Sequence, residues 1–251
     1  MSFTEEFIQV GGDSIYYVHG GAVGLRGALP LVLVHGLSGA TTWWARNLEQ
    51  LGEHGEVYAL DLPGFGRTRS RSSFDLDDEV TALAAWASAV KVRRAIFVGH
   101  SLGGYLAAHL AMRTELVAGL VLVDAAIFPP DYGWWRLTLG LLLAPFTVSL
   151  SLWPVILAGV RNAGFSTVLR ATGALLEGRL WRILPAVRAP TLMIWGRHDT
   201  VVPPSLAERM KGRMTNQPTG PVLLRGGHAP MWDDSRAFGE VVRRFSTGLS
   251  E

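Results

Sequence analysis

The chain has 251 residues, is 49% hydrophobic, carries a formal charge of only +2 and contains no cysteine. That length suits one α/β domain, or one domain with an insert, and supplies a large core. The weak charge gives no reason to expect a nucleic-acid partner. The missing cysteines exclude disulfides, thiolate metal sites and a cysteine nucleophile.

The N-terminal residues Met1-Ser2-Phe3-Thr4-Glu5-Glu6 are acidic and show no basic stretch leading into an apolar core. No secretory signal is visible there, and a cytoplasmic location is expected. Phe7–Val10 and Ile15–Val18 are short β-like runs around Gly11-Gly12-Asp13, predicting an edge hairpin. Residues 20–27 form a glycine-rich loop. Leu31-Val32-Leu33-Val34 is an unbroken apolar strand of the kind buried on both faces of a parallel sheet. It runs into His35-Gly36-Leu37-Ser38-Gly39, a loop able to present backbone N–H groups to a ligand. Trp43 and Trp44 are expected to open the next helix and to pack in the core.

Val57–Leu60 is the next strand, followed by the tight loop Asp61-Leu62-Pro63-Gly64-Phe65-Gly66, in which Asp61 is read as a turn organiser. Asp75, Asp77, Asp78 and Glu79 make a carboxylate-rich helix start, and Leu76, Val80, Leu83, Ala84, Ala87 and Val90 its apolar face. Ala95–Val98 is a strand, and a helical pattern runs from Leu106 to Met112. Leu120–Val123 is another buried strand, ending at Asp124. Strand and helix alternate, so a parallel sheet is implied, with ligands at the carboxyl ends of its strands.

The alternation stops at Phe128-Pro129-Pro130. From Trp134 to Val160 the one charged residue is Arg136, and Pro145 and Pro154 cut the stretch into pieces too short to span a bilayer straight. Residues 164–181 look helical. Residues 130–185 are therefore read as a helical cap inserted in a core of 1–129 and 186–251. A re-entrant membrane segment and a peripheral membrane-contact surface are the other readings of the insert. Thr191–Trp195 resumes the sheet, Pro221–Leu224 is its last strand, and Asp233, Asp234 or Ser235 caps a final helix carrying Phe238, Val241, Val242 and Phe245.

Between the strand at 95–98 and its helix lies Gly99-His100-Ser101-Leu102-Gly103. Strand, Gly-x-Ser-x-Gly, helix is the setting of a nucleophile elbow. A serine hydroxyl needs a base within hydrogen-bond reach, and that base an orienting acid. Of seven histidines, His228 is the best-placed base, in a loop after the last strand between Gly227 and Pro230. Asp199 and Asp124 both end strands and both fit the chain order serine, acid, histidine. Asp199 is preferred because Gly196-Arg197-His198-Asp199-Thr200-Val201-Val202-Pro203 is a turn that can aim a side chain. The backbone N–H groups of Leu102 and Leu37 are the expected oxyanion donors.

Taken together, His35-Gly36-Leu37, Asp61-Leu62-Pro63-Gly64-Phe65-Gly66, Gly99-His100-Ser101-Leu102-Gly103-Gly104, Gly196-Arg197-His198-Asp199 and Gly227-His228 resemble the α/β-hydrolase superfamily over nearly the whole chain. The likeness is to members with a helical lid between the sixth and seventh core strands. It implies a mostly parallel eight-stranded sheet flanked by helices and a Ser-His-Asp triad. Serine at the elbow argues against epoxide hydrolases and haloalkane dehalogenases, which use aspartate there. It leaves esterases, lipases, thioesterases, carbon–carbon bond hydrolases, perhydrolases and some lyases.

The leading expectation is hydrolysis of carboxylic esters with apolar acyl or aromatic groups, with no metal or organic cofactor. Trp43, Trp134, Leu141, Phe146 and Trp153 are the expected substrate contacts, and the cap the expected membrane or dimer contact. The alternatives are a carbon–carbon bond hydrolase of aromatic ring-cleavage products, and a non-catalytic binder of a hydrophobic ligand or membrane surface.

Overall fold

A computed structural model describes residues 2–24, 27–69, 74–163, 165–177 and 179–249. Residues 25 and 26 of the glycine-rich loop, and 164 and 178 of the predicted helical stretch, lie outside them.

The first two strands, β1 (Phe3–Val10) and β2 (Asp13–Gly21), pair antiparallel as an edge hairpin, and both are longer than their apolar residues alone suggest. Thr4, Glu5 and Glu6 can extend β1 because an edge strand has a face to water. The parallel strands are β3 (Leu31–Val34), β4 (Glu56–Leu60), β5 (Ala95–His100), β6 (Val117–Val123), β7 (Thr191–Gly196) and β8 (Thr219–Leu224). The eight strands lie in the order β1-β2-β4-β3-β5-β6-β7-β8.

Alternation along the central strands supplies two cores. Val32, Val34, Phe97, Leu120 and Leu122 face α2 (Leu76–Ala89) and α3 (Leu102–Arg113), meeting Leu83, Trp86 and Leu106. Leu31, Leu33, Ile96, Val98 and Val121 face the other way, onto Trp44, Phe238 and Val242. With both faces covered, every residue of β3 and β5 is buried. Each such side chain contributes about 1.5–3 kcal/mol of transfer free energy.

Trp43 and Trp44 close a 3₁₀ turn (Thr41–Trp44) rather than opening a helix, and the short α1 (Leu48–Gly52) follows it. Asp75 caps α2 by accepting from the N–H groups of Asp77 and Asp78. Among the described residues, the insert contains α4 (Trp134–Leu143), α5 (Trp153–Ala163), α6 (Phe165–Leu176) and α7 (Arg179–Ile183), joined in part by 3₁₀ turns. It sits over the carboxyl ends of the strands. The Thr200 hydroxyl donates to the Gly140 carbonyl at 2.9 Å, and the Trp232 indole to the Ser151 hydroxyl at 3.0 Å. Gly159 lies so close to the Ser38 carbonyl that a β-carbon would fall 1.7 Å from it. Among the described residues no single helix is long and apolar enough to cross a membrane.

Two helices were not anticipated, α8 (Pro204–Lys211) and the single turn α9 (Pro230–Asp233). Each opens on a proline, which reads as a breaker in isolation but is favoured in a helix's first turn. The last helix, α10 (Ser235–Gly248), starts after Asp234 and buries Phe238 and Val242.

Candidate active site

β5 ends at His100, and Ser101 turns the chain into α3 with φ 52° and ψ −115°. That conformation is costly for a residue with a side chain. The fold holds it from both sides. The Ser101 N–H donates to the Val123 carbonyl at 2.9 Å, and the Ser101 carbonyl accepts from Ala126 at 3.0 Å. A β-carbon on Gly99 would stand 2.3 Å from the Gly103 carbonyl oxygen, and one on Gly103 would stand 2.2 Å from that of Val34. The elbow closes only because both positions are bare.

The turn aims the Ser101 hydroxyl at the loop after β8. His228 Nε2 accepts from Ser101 Oγ at 3.1 Å, and His228 Nδ1 donates to Asp199 Oδ2 at 2.8 Å. Asp199 ends the turn after β7, and its Oδ1 accepts from the N–H groups of Val201 and Val202 at 2.8 and 3.0 Å. With three hydrogen bonds set by backbone and imidazole, the carboxylate has one orientation. Ser101, His228 and Asp199 thus form a continuous hydrogen-bonded line, drawn from residues 127 positions apart in the chain.

Asp124, the other carboxylate considered, does not touch the imidazole edge. Its Oδ1 accepts from the Gly196 N–H at 2.9 Å, tying β6 to β7. It is fully buried, and burial first, then the Asp199 charge, push its carboxyl well above the usual range. Burial and the neighbouring Asp199 thus both favour the protonated form of Asp124.

His100 was legible only as the residue between glycine and serine in the motif. It is buried, its Nε2 donates to the His228 carbonyl at 2.7 Å, and its ring lies 4.9 Å from that of His228. Burial, then the His228 ring, hold it well below the usual histidine range, so it is neutral. No sequence signal announced this support. His35 is likewise buried and lowered by burial; its Nδ1 donates to the Gly36 carbonyl and its Nε2 accepts from Leu62 N–H. Asp61 organises its turn, accepting from the N–H groups of Thr41 at 2.6 Å and Arg67 at 2.7 Å.

His100, Asp124 and His228 place possible ligand atoms within 4.8 Å of one another. Both ring nitrogens of His228 and Nε2 of His100 are already engaged, as given above. A metal there would have to break the serine–histidine–aspartate line or the His100 support.

Ser101 and His228 open into a cavity of about 310 Å³ between sheet and cap. Leu37 and Trp43 line it from the core, with Ala126 and Phe128 after β6. The cap supplies Leu137, Leu141, Val148, Leu152, Trp153, Ile156 and Val168. Of the expected substrate contacts, Trp43, Leu141 and Trp153 line the cavity; Trp134 and Phe146 do not. Trp134 sits at the start of α4 against Gly173, and is 52% exposed. Phe146 leaves the 3₁₀ turn after Pro145 on its outer side and is 86% exposed. The N–H groups of Leu37 and Leu102 have no acceptor among the described residues. Leu37 lines the cavity beside Ser101, and Leu102 N–H is the first of α3.

Three known proteins similar to this chain in sequence or structure carry names that refer to acyl lipids. The 1-acylglycerol-3-phosphate O-acyltransferase ABHD5 of Rattus norvegicus is 39% identical over 151 residues, 54% of this chain and 40% of that protein. The (lyso)-N-acylphosphatidylethanolamine lipase of Bos taurus is 38% identical over 112 residues, 42% of this chain and 32% of that protein. Those matches span less than half the length of either relative. The crystal structure of a membrane phospholipase A, a bacterial virulence factor, superimposes with a TM-score of 0.82 at 28% identity, covering 98% of this chain and 86% of that one. The profile of the alpha/beta hydrolase family matches residues 31–243, and the chain belongs to that family.

Proposed function

We propose that the protein hydrolyses carboxylic esters of apolar acyl chains through an acyl-enzyme. The observation that carries this reading is the Ser101–His228–Asp199 line opening into an apolar cavity. Ser101 Oγ attacks the acyl carbon while His228 Nε2 takes its proton. Asp199 keeps the imidazole in the tautomer that leaves Nε2 free to do so. The N–H groups of Leu37 and Leu102 stabilise the tetrahedral oxyanion. The carbon–oxygen bond to the leaving alcohol then breaks, and His228 returns the proton to that alcohol. Water, activated by the same imidazole, adds to the acyl carbon and releases the acid and the free serine. No step calls on a metal or organic cofactor.

The names of the relatives support a lipid acyl group as the part recognised. So does the cavity, whose lining is mostly apolar, with Ser38, Thr172 and the residues around Ser101 as its few polar side chains. Two measurements test the reading. A fluorophosphonate probe is expected to label Ser101, and p-nitrophenyl esters of graded length to be turned over with a preference for longer chains. A folded protein that neither takes the label nor turns over any ester would refute it.

A further inference from the structure

Among the described residues, eleven of the fourteen large hydrophobic side chains that stand exposed lie between Trp134 and Leu169, the others being Phe7, Val23 and Leu223. Their distribution within the cap is uneven. Exposure peaks at the corner between α4 and α5, where Leu142 is 67%, Phe146 86% and Leu150 81% exposed. Residues Trp134–Phe146 and Leu150–Ala163 meet there at 104°, making a wedge with its apolar tip in solvent.

Soluble monomers seldom leave so much contiguous apolar surface bare. Two further observations say what covers it. The first is charge. No aspartate or glutamate occurs between Asp131 and Glu177, while Arg136, Arg161 and Arg170 fall in that span. Arg136 lies over the exposed Trp135 ring, 5.1 Å from its centre, the pairing of cation and interfacial aromatic that suits a headgroup layer. The second is continuity with the cavity. Leu141 and Val160 line the space in front of Ser101 and are also 52% and 43% exposed. The cavity therefore opens within the apolar surface.

We propose that the α4–α5 corner docks on an anionic lipid bilayer. Leu142, Leu143, Phe146 and Leu150 enter the boundary between headgroups and acyl chains, and arginines settle among the lipid phosphates. An acyl chain then passes from bilayer to cavity beside Leu141 and Val160 without crossing water. This last step rests on the ester-hydrolase reading; the docking itself does not.

Binding is therefore measured directly, with Ser101→Ala, so that the result does not depend on turnover of any lipid. The probe is co-sedimentation with vesicles of phosphatidylcholine mixed with phosphatidylglycerol, beside vesicles of phosphatidylcholine alone. The expected result is partitioning onto the mixed vesicles, roughly tenfold weaker on the neutral ones, and weakened by salt. The variant L142S/L143S/L150S, whose residues do not line the cavity, should lose roughly 100-fold in partitioning. In the wild-type background the same triple change should leave short-chain, water-soluble ester turnover unchanged. If that variant does not fold, the lipid and salt dependence of the intact chain carries the test. Absence of partitioning onto either vesicle overturns the proposal. So does equal partitioning by the folded triple variant, or a dimer in solution that the triple variant abolishes while vesicles bind nothing.

Discussion

Two apolar runs of similar composition have opposite fates. Leu120-Val121-Leu122-Val123 in β6 is wholly buried, whereas Leu141-Leu142-Leu143 in the cap is 52%, 67% and 43% exposed. The difference lies in what surrounds each. A helix layer covers the sheet on each face, so both phases of β6 find partners. The cap is one layer thick and has a core beneath it but none above. Apolar sequence in the sheet therefore reports packing, while the same residues in the cap report packing on one face and an unmet contact on the other.

The largest effects belong to the rigid region. Ser101→Ala is expected to lower kcat/KM by at least 10³-fold and abolish fluorophosphonate labelling, with little change in Tm. Asp199→Asn should cost 10³- to 10⁴-fold, since the imidazole loses the partner that sets its tautomer. Asp124→Asn keeps an oxygen for the Gly196 N–H and should stay within about tenfold of the parent. Steady-state kinetics on one soluble ester compares all three; activity lost in the Asp124 variant alone would reverse the assignment of the acid. Next comes Gly99→Ala, whose methyl meets backbone 2.3 Å away. It should cost more than about 4 kcal/mol in urea unfolding, or yield no folded chain.

A smaller effect is expected at Glu79 in α2, buried beneath the edge hairpin side of the sheet with no partner for Oε2 among the described residues. Burial first, then the charges of Asp13, Asp78 and Asp75, push its carboxyl up to about 9. The folded chain thus holds a proton that the unfolded chain, with a pKa near 4.3, gives up. Stability must fall as pH rises from about 4.5 towards 9. Glu79→Gln should flatten that slope and gain several kcal/mol at pH 8, with much less gain at pH 5, in paired urea titrations. An unchanged slope would place the titration elsewhere.

Much of this was legible in the sequence because the sheet and its loops obey local rules. The elbow is readable at Gly99 and Gly103 because backbone contact forbids a side chain there. The run 31–34 is readable because a doubly covered strand needs no alternation. The cap was legible as helical and apolar, but not in its facing. Trp134 and Phe146, expected at the substrate, point away from it, since an apolar helix gives no polar face from which to infer its inner side. Glu79 looked like a first-turn acid beside Asp77 and Asp78, and only the packing of α2 shows it turned inward. His100 gave no signal because its role lies in a bond to a carbonyl 128 residues away.

The smallest expected effect separates the two regions most directly. Leu122→Ala and Leu142→Ala delete the same atoms. At Leu122, with no exposed surface, the deletion removes buried area and leaves a void between β6 and the helices covering it, a loss of 2–5 kcal/mol. At Leu142, 67% exposed, most of the side chain has no protein neighbour to lose, and alanine is the better helix former. Its unfolding free energy should stay within about 0.5 kcal/mol of the parent's. A loss at Leu142 approaching that at Leu122 would mean that a second layer covers the corner in solution, and the contrast between sheet and cap would then end at the outer face of α4.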